Sequence, residues 1–236
     1  MKKTGIIVSV IVYLVLINAF SNFTFAAVLV NESFENHAVG MIESNEDAAI
    51  TVNKGLPQEI MITEDESSDG SKSLFLDANA DSTLRLEVVW SFPKIDSDKS
   101  VYLSFDVLPS AVRTLEVYLA GERDTSSTIA NGPTIRLDQY KRILAVIPPG
   151  STDKISDFDP HTWYRITITL DSISQGKYNI SVKPLDDSGT FFSKENCEFR
   201  FNLKDIRQLH IRNYSAATGS QYIDNVMLVE DYTNII

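Results

Sequence analysis

Between His161 and Val182 the chain reads HTWYRITITLDSISQGKYNISV, and apolar and polar positions alternate with a period of two. Tyr164, Ile166, Ile168 and Leu170 share one side, and Trp163, Arg165, Thr167 and Thr169 share the other. Further on, Tyr178, Ile180 and Val182 alternate with Asn179, Ser181 and Lys183. A period of two places successive side chains on opposite faces of a strand, so each segment has one apolar and one wet face. Asp171, Ser172, Ser174 and Gly176 supply turn chemistry between them, which predicts a hairpin.

The same patterning marks strands over 28–35, 49–52, 59–63, 73–78, 83–90, 101–108, 113–120, 134–137, 142–147, 197–201, 207–214 and 222–229. Turn formers separate them, among them Asp69-Gly70, Asn131-Gly132-Pro133 and Pro148-Pro149-Gly150. Helix signals are nearly absent; only Lys204-Asp205-Ile206 reads as a single short turn. Many short strands at this spacing predict an all-β fold, an antiparallel sandwich or barrel. No internal repeat or low-complexity linker divides the chain, so one domain over 27–236 is expected. Polar stretches 64–72, 121–132 and 151–156 read as loops, and such loops often rim a binding face.

The central hairpin resembles that of concanavalin A-like lectin/glucanase domains, including the laminin-G-like and carbohydrate-binding jelly rolls. The chain ends extend the likeness. Asn31-Glu32-Ser33-Phe34-Glu35-Asn36 stands near the start, and Tyr222-Ile223-Asp224-Asn225-Val226 near the end. The resemblance implies a two-sheet antiparallel β-sandwich of the concanavalin A-like jelly-roll type, with the terminal strands side by side. It also implies a structural calcium held by Glu35 and Asp224, since two buried carboxylates need a cation or hydrogen bonds to offset their repulsion. The alternative is that Asp224 and Asn225 hydrogen-bond a neighbouring loop.

Lys2 and Lys3 precede an apolar run from Ile6 to Phe20, and Thr24-Phe25-Ala26 offers small residues at a cleavage point. The run is shorter than the roughly twenty residues that span a bilayer. A secretory signal over 1–26 and an extracellular, soluble product are expected, with an uncleaved anchor as the alternative. The chain carries 21 basic and 32 acidic residues, a net charge of −11. That balance disfavours nucleic acid and anionic membrane surfaces as partners. Cys197 is the single cysteine, so no intrachain disulfide supports this fold, and the thiol reads as a small buried hydrophobe.

Alternation also nominates a binding face. Leu115, Val117 and Leu119 point one way, leaving Glu116 and Tyr118 on the other side. Ile135 and Leu137 leave Arg136 and Asp138, and Leu209 and Ile211 leave His210, Arg212 and Tyr214. If these strands share the concave sheet, they line one groove with groups suited to a sugar: rings for its apolar face, charged planar groups for its hydroxyls. The alternative is a solvated face with cross-strand ion pairs, such as Arg136 or Arg212 with Glu116. Trp90 and Trp163 read as packing residues. His37 and His161 lie in unrelated segments, and no zinc spacing occurs.

The Glu-x-Asp-x-x-Glu and Glu-x-Asp-x-Glu strands of jelly-roll glucanases are absent, which argues against a glycosidase with paired carboxylates. Jelly-roll polysaccharide lyases use Arg, His and Tyr; Gln208-Leu209-His210 echoes their Gln-Ile-His motif only loosely, and no Tyr-Phe-Lys occurs. The expectation is therefore a non-catalytic, lectin-like domain that binds a polysaccharide or surface glycan. A polysaccharide lyase and an adhesive surface protein are the alternatives.

Overall fold

A computed structural model describes residues 26–42, 50–53, 60–78, 86–110, 114–186, 189–213 and 219–231. Residues 1–25 of the expected leader and the candidate Tyr214 lie outside them. Strands run in chain order as β1 (Ala27–Glu32), β2 (Gly40–Met41), β3 (Ile50–Asn53), β4 (Ile60–Thr63), β5 (Ser73–Ala78) and β6 (Leu86–Asp96). They continue as β7 (Val101–Leu108), β8 (Leu115–Glu122), β9 (Ile129–Leu137), β10 (Arg142–Ile147) and β11 (Ser151–Asp157). The remainder are β12 (Tyr164–Leu170), β13 (Lys177–Pro184), β14 (Phe192–Glu198), β15 (Asp205–Asn213) and β16 (Gly219–Glu230).

Two antiparallel sheets result. One has nine strands, ordered β14-β13-β12-β7-β16-β5-β4-β2, with β1 pairing the second half of β16. The other has seven, ordered β11-β10-β9-β8-β15-β6-β3. Both sheets contribute to a single hydrophobic cluster. From the first come Leu103, Phe105, Val107, Ile166, Ile168 and Leu228; from the second, Val88, Trp90, Val117, Ile135 and Ile211. Each sheet therefore turns one face inward and leaves the other for polar groups, which is the two-layer solution for amphipathic strands.

The hairpin β12–β13 follows the alternation. Tyr164, Ile166, Ile168 and Leu170 are buried, while Arg165 is exposed and Thr167 and Thr169 are half-buried. A single 3-10 turn at Ile173–Gln175 joins the strands and ends on Gly176 at φ 63°. That left-handed conformation suits glycine, which has no Cβ to clash. The turn lies here rather than at Lys204–Ile206, where β15 begins instead.

Four other readings need correction. Ser151–Asp157 is a strand, not a loop; among the described residues it pairs only with β10, and an edge strand tolerates the polar sequence that hid it. Strand β6 runs through Pro93 to Asp96, and strand β9 begins at Ile129, inside the expected 121–132 loop. The cysteine-containing strand is Phe192–Glu198, earlier than the alternation implied. Cys197 itself is buried, and burial pushes its thiol pKa up, in keeping with an inert packing role.

Candidate functional site

The outer side of the seven-stranded sheet gathers the groups that alternation nominated. Register pairs Glu87 with Arg212, Arg212 with Glu116, and Glu116 with Arg136. Four neighbouring strands thus present a row of charge that reads minus, plus, minus, plus. One residue pair along, Val89, His210, Tyr118 and Thr134 form the next row.

Three charges of the first row are joined through Glu116. Glu116 is wholly buried and accepts hydrogen bonds from Arg136 Nε at 2.9 Å and from Arg212 Nη2. Burial alone would depress the Arg212 pKa, but the Glu116 bond and nearby negative charge outweigh it and leave the guanidinium more firmly protonated. A buried carboxylate shared by two guanidinium groups is strongly held, because removing one partner strands the others in low dielectric.

The second row is tied to the first through Glu87. Tyr118 donates its hydroxyl to Glu87 Oε1 at 2.7 Å, and His210 Nδ1 lies 3.0 Å from the same oxygen. The Tyr118 ring stacks on the imidazole at 4.5 Å and 12°, and Arg212 sits 5.1 Å from the centre of the Tyr118 ring. Nε2 of His210 is 3.2 Å from Gln208 Oε1. Burial would raise the Glu87 pKa, but the hydrogen bonds from His210 and Tyr118 override it and hold the carboxyl below its ordinary range. Burial and the adjacent Glu87 charge push the Tyr118 phenol far above its usual value, so it is a hydrogen-bond donor at neutral pH and not a base. What the face gathers is one stack, in which Tyr118 is only 4% exposed, with two fixed guanidinium groups and an imidazole held between a carboxylate and an amide.

Glu116, Tyr118, Arg136, His210 and Arg212 therefore share one sheet face as the alternation predicts, and both Arg–Glu116 pairs named in the alternative reading of that face, cross-strand ion pairing, are present. Asp138 does not join them. It lies beyond the end of β9, where strand alternation no longer governs direction, and its carboxylate closes the β9–β10 turn. It accepts from the Tyr140 and Arg142 backbone N–H groups at 2.9 and 3.1 Å and from Arg142 Nε at 2.9 Å. This is the local turn chemistry that aspartate favours. Glu87 was missed, although its position between inward Leu86 and Val88 carries the same signal as Glu116.

The other nominated pair, Glu35 and Asp224, meets a common loop. Asp224 is wholly buried and accepts from the backbone N–H of Ser68 at 3.0 Å, the Ser68 hydroxyl at 3.0 Å and the Asp69 N–H at 3.4 Å. Glu35 accepts from the N–H groups of Ser71 and Lys72, each at 2.8 Å, and from the Ser71 hydroxyl at 2.9 Å. Those backbone bonds hold the Glu35 pKa down, whereas burial outweighs the bonds to Asp224 and raises its pKa. Gly70, at φ 71°, lies between the two clamps, and a Cβ there would fall 2.5 Å from Glu35 Oε1. Among the described residues no group of three or more His, Cys, Asp or Glu side chains could hold a metal. A calcium ion would have to displace N–H and O–H donors from both carboxylates. As they stand, the residues do not fit a cation cage; they form a loop clamp, as the hydrogen-bonding alternative anticipated.

No family model matches the chain, and neither does any curated protein. Solved structures do. The marine PL-14 alginate lyase from Aplysia kurodai superposes with a TM-score of 0.59 at 11% identity, over 86% of this chain and 98% of that one. The endo-β-1,4-glucuronan lyase from the fungus Trichoderma reesei gives 0.54 at 9% identity, over 90% and 97%. Lectin II from Ulex europaeus gives 0.56 at 12% identity, over 87% and 100%. At such identities the likeness establishes the fold alone: this chain has the concanavalin A-like jelly-roll fold that those lyases and that lectin share, as the hairpin and terminal strands implied.

Proposed function

We propose that this protein is a secreted glycan-binding domain that takes a polysaccharide on the outer face of its seven-stranded sheet. The observation that carries the reading is the convergence of the Tyr118–His210 stack with Arg212, Arg136 and Gln208 on adjacent strands. Rings with an apolar face and a polar edge, set beside fixed donors, match the alternating C–H and O–H surfaces of a pyranose. The donors are pre-oriented by Glu116 and Glu87, so little side-chain entropy is lost on binding. Lectins and polysaccharide lyases with this fold support a carbohydrate partner but do not identify it. The net charge of −11 makes nucleic acid an unsuitable partner. Release into the medium rests on the basic and apolar leader and is tested by N-terminal sequencing of the exported product.

The binding test is affinity electrophoresis against a panel of neutral and acidic polysaccharides. Tyr118→Ala and Arg212→Ala are expected to lose retardation while a correctly folded wild type shows it. Absence of retardation by every polymer would reject the reading.

A second reading, a uronate lyase, draws on one specific feature: Gln208, His210 and Tyr118 lie together on this face. In a β-elimination a base removes the C5 proton, the C4–O4 bond breaks, a C4–C5 double bond forms and an acid protonates the leaving oxygen. His210→Ala separates the readings. A binder retains its polymer with modestly altered affinity and has no turnover to lose. A lyase loses the ultraviolet-absorbing unsaturated product while much of the binding survives.

A further inference from the structure

The opposite side of the sandwich holds a separate cleft of about 250 Å³ on the outer face of the nine-stranded sheet. Tyr102, Ser104, Met227, Asn31, Arg165 and Asn225 are among the residues that line it. None of these residues belongs to the face described above.

Each polar group is held by its own part of the fold. Register sets Ser104 between Met227 and Thr167, and Arg165 opposite Asp106. Asp106 is wholly buried and takes Arg165 through two bonds, Nε to Oδ1 and Nη2 to Oδ2, both 2.8 Å. The Arg165 side chain is nonetheless 46% exposed. A guanidinium has five N–H donors, so a carboxylate that takes two fixes its plane and leaves others for a ligand. Asn225 sits at φ 47° in the bulge that breaks β16 between Asp224 and Met227. Bulges re-aim side chains, and this one aims the Asn225 amide nitrogen at Asp106 Oδ2 and Ser68 Oγ, each at 3.0 Å. Its amide oxygen remains an acceptor.

The charge of the cleft selects among ligands. Arg165 is neutralised by Asp106, and Glu32 and Asp69 add negative charge to the wall. A phosphate or uronate would meet more repulsion than attraction here. A ring, a hydroxyl, an amide and a guanidinium whose charge is balanced by Asp106 suit a neutral, hydroxyl-rich molecule. We propose that this cleft binds a neutral sugar unit, which makes the protein bivalent, with a glycan site on each sheet. The inference rests on the reading of the protein as a glycan binder. Two sites facing opposite directions cannot serve one short chain, so bivalency would link separate polysaccharide strands.

The probes are the hexaoses of cellulose, xylan and laminarin, titrated by calorimetry. At least one is expected to bind the wild type, with affinity about tenfold weaker in Tyr102→Ala, as for loss of an aromatic anchor. Asn31→Arg, at an exposed position on β1, is expected to abolish that binding by filling the cleft. If no hexaose binds, or if both cleft variants bind as the wild type does, the proposal is overturned. The seven-stranded face is scored separately: polymer retardation that Asn31→Arg keeps and Tyr118→Ala loses upholds that site even when the cleft fails. Turbidity of a polymer that binds both sites should appear with the wild type and vanish in either class of variant; turbidity that persists in Asn31→Arg would overturn bivalency.

Discussion

Each sheet carries one charged row across its outer face, and the two rows are ordered differently. On the seven-stranded sheet Glu87, Arg212, Glu116 and Arg136 alternate in sign. On the nine-stranded sheet Asp224, Asp106, Arg165 and Lys183 run minus, minus, plus, plus. Alternation lets every charge face its opposite on the adjacent strand, and such pairs stabilise a sheet. Two carboxylates directly opposite each other repel, and a like pair needs outside help. Ser68 provides it: its hydroxyl lies 2.8 Å from Asp106 Oδ2 and 3.0 Å from Asp224 Oδ2. The first row is complete within its own strands. In the second, Arg165 and Asn225 serve Asp106 from strands of the sheet and a loop adds donors for Asp224, which pins the loop at 64–72 against the sheet.

The largest expected effect tests the self-sufficient row. Glu116→Ala leaves Arg136 and Arg212 without their shared carboxylate and should cost about 3–5 kcal/mol in denaturant unfolding. A loss below about 1 kcal/mol would show that the row is a solvated surface pair like any other. Ser68→Ala tests the loop-dependent row. It removes one hydroxyl between two buried carboxylates and should cost about 1–3 kcal/mol, with proteolysis of the 64–72 loop accelerated. An unchanged cleavage rate would mean that the backbone bonds to Asp224 and Glu35 suffice to pin the loop.

The pH responses should have opposite signs. Glu87 has a lowered pKa in the folded state, so its contribution is present above the unfolded carboxylate pKa and is lost as pH falls through the folded one. Asp224 has a raised pKa, so its ionisation opposes folding, and stability is recovered as pH falls through that raised value. Glu87→Gln should flatten the acid limb of the stability curve, and Asp224→Asn should remove the gain on mild acidification. Same-signed changes in both variants would break the comparison. The smallest effect concerns calcium. Because the donors of the loop clamp would have to be displaced, added calcium is expected to leave the Tm where chelator leaves it; a rise would show that the ion outcompetes the loop.

Strand alternation and turn chemistry were enough to read an all-β sandwich or barrel and the inward stripe of β12, because a half-buried strand cannot hide its period of two; the choice of the sandwich came from the resemblance of the hairpin and the chain ends. The same signal placed Glu116, Tyr118, Arg136, His210 and Arg212 on outward positions. It failed for Asp138, since a turn obeys local hydrogen bonding and not the pleat. It also failed for β11, which as an edge strand has one neighbour and no need of an apolar face. What only the tertiary structure decided is strand adjacency. Asp106 and Asp224 are 118 positions apart, yet they face each other across β7 and β16. Glu87 becomes a partner of His210 only because β6 lies beside β15. Periodicity is a property of one strand and is written locally. Neighbours in a sheet are chosen by how all the strands together bury a common core, and no single segment contains that choice.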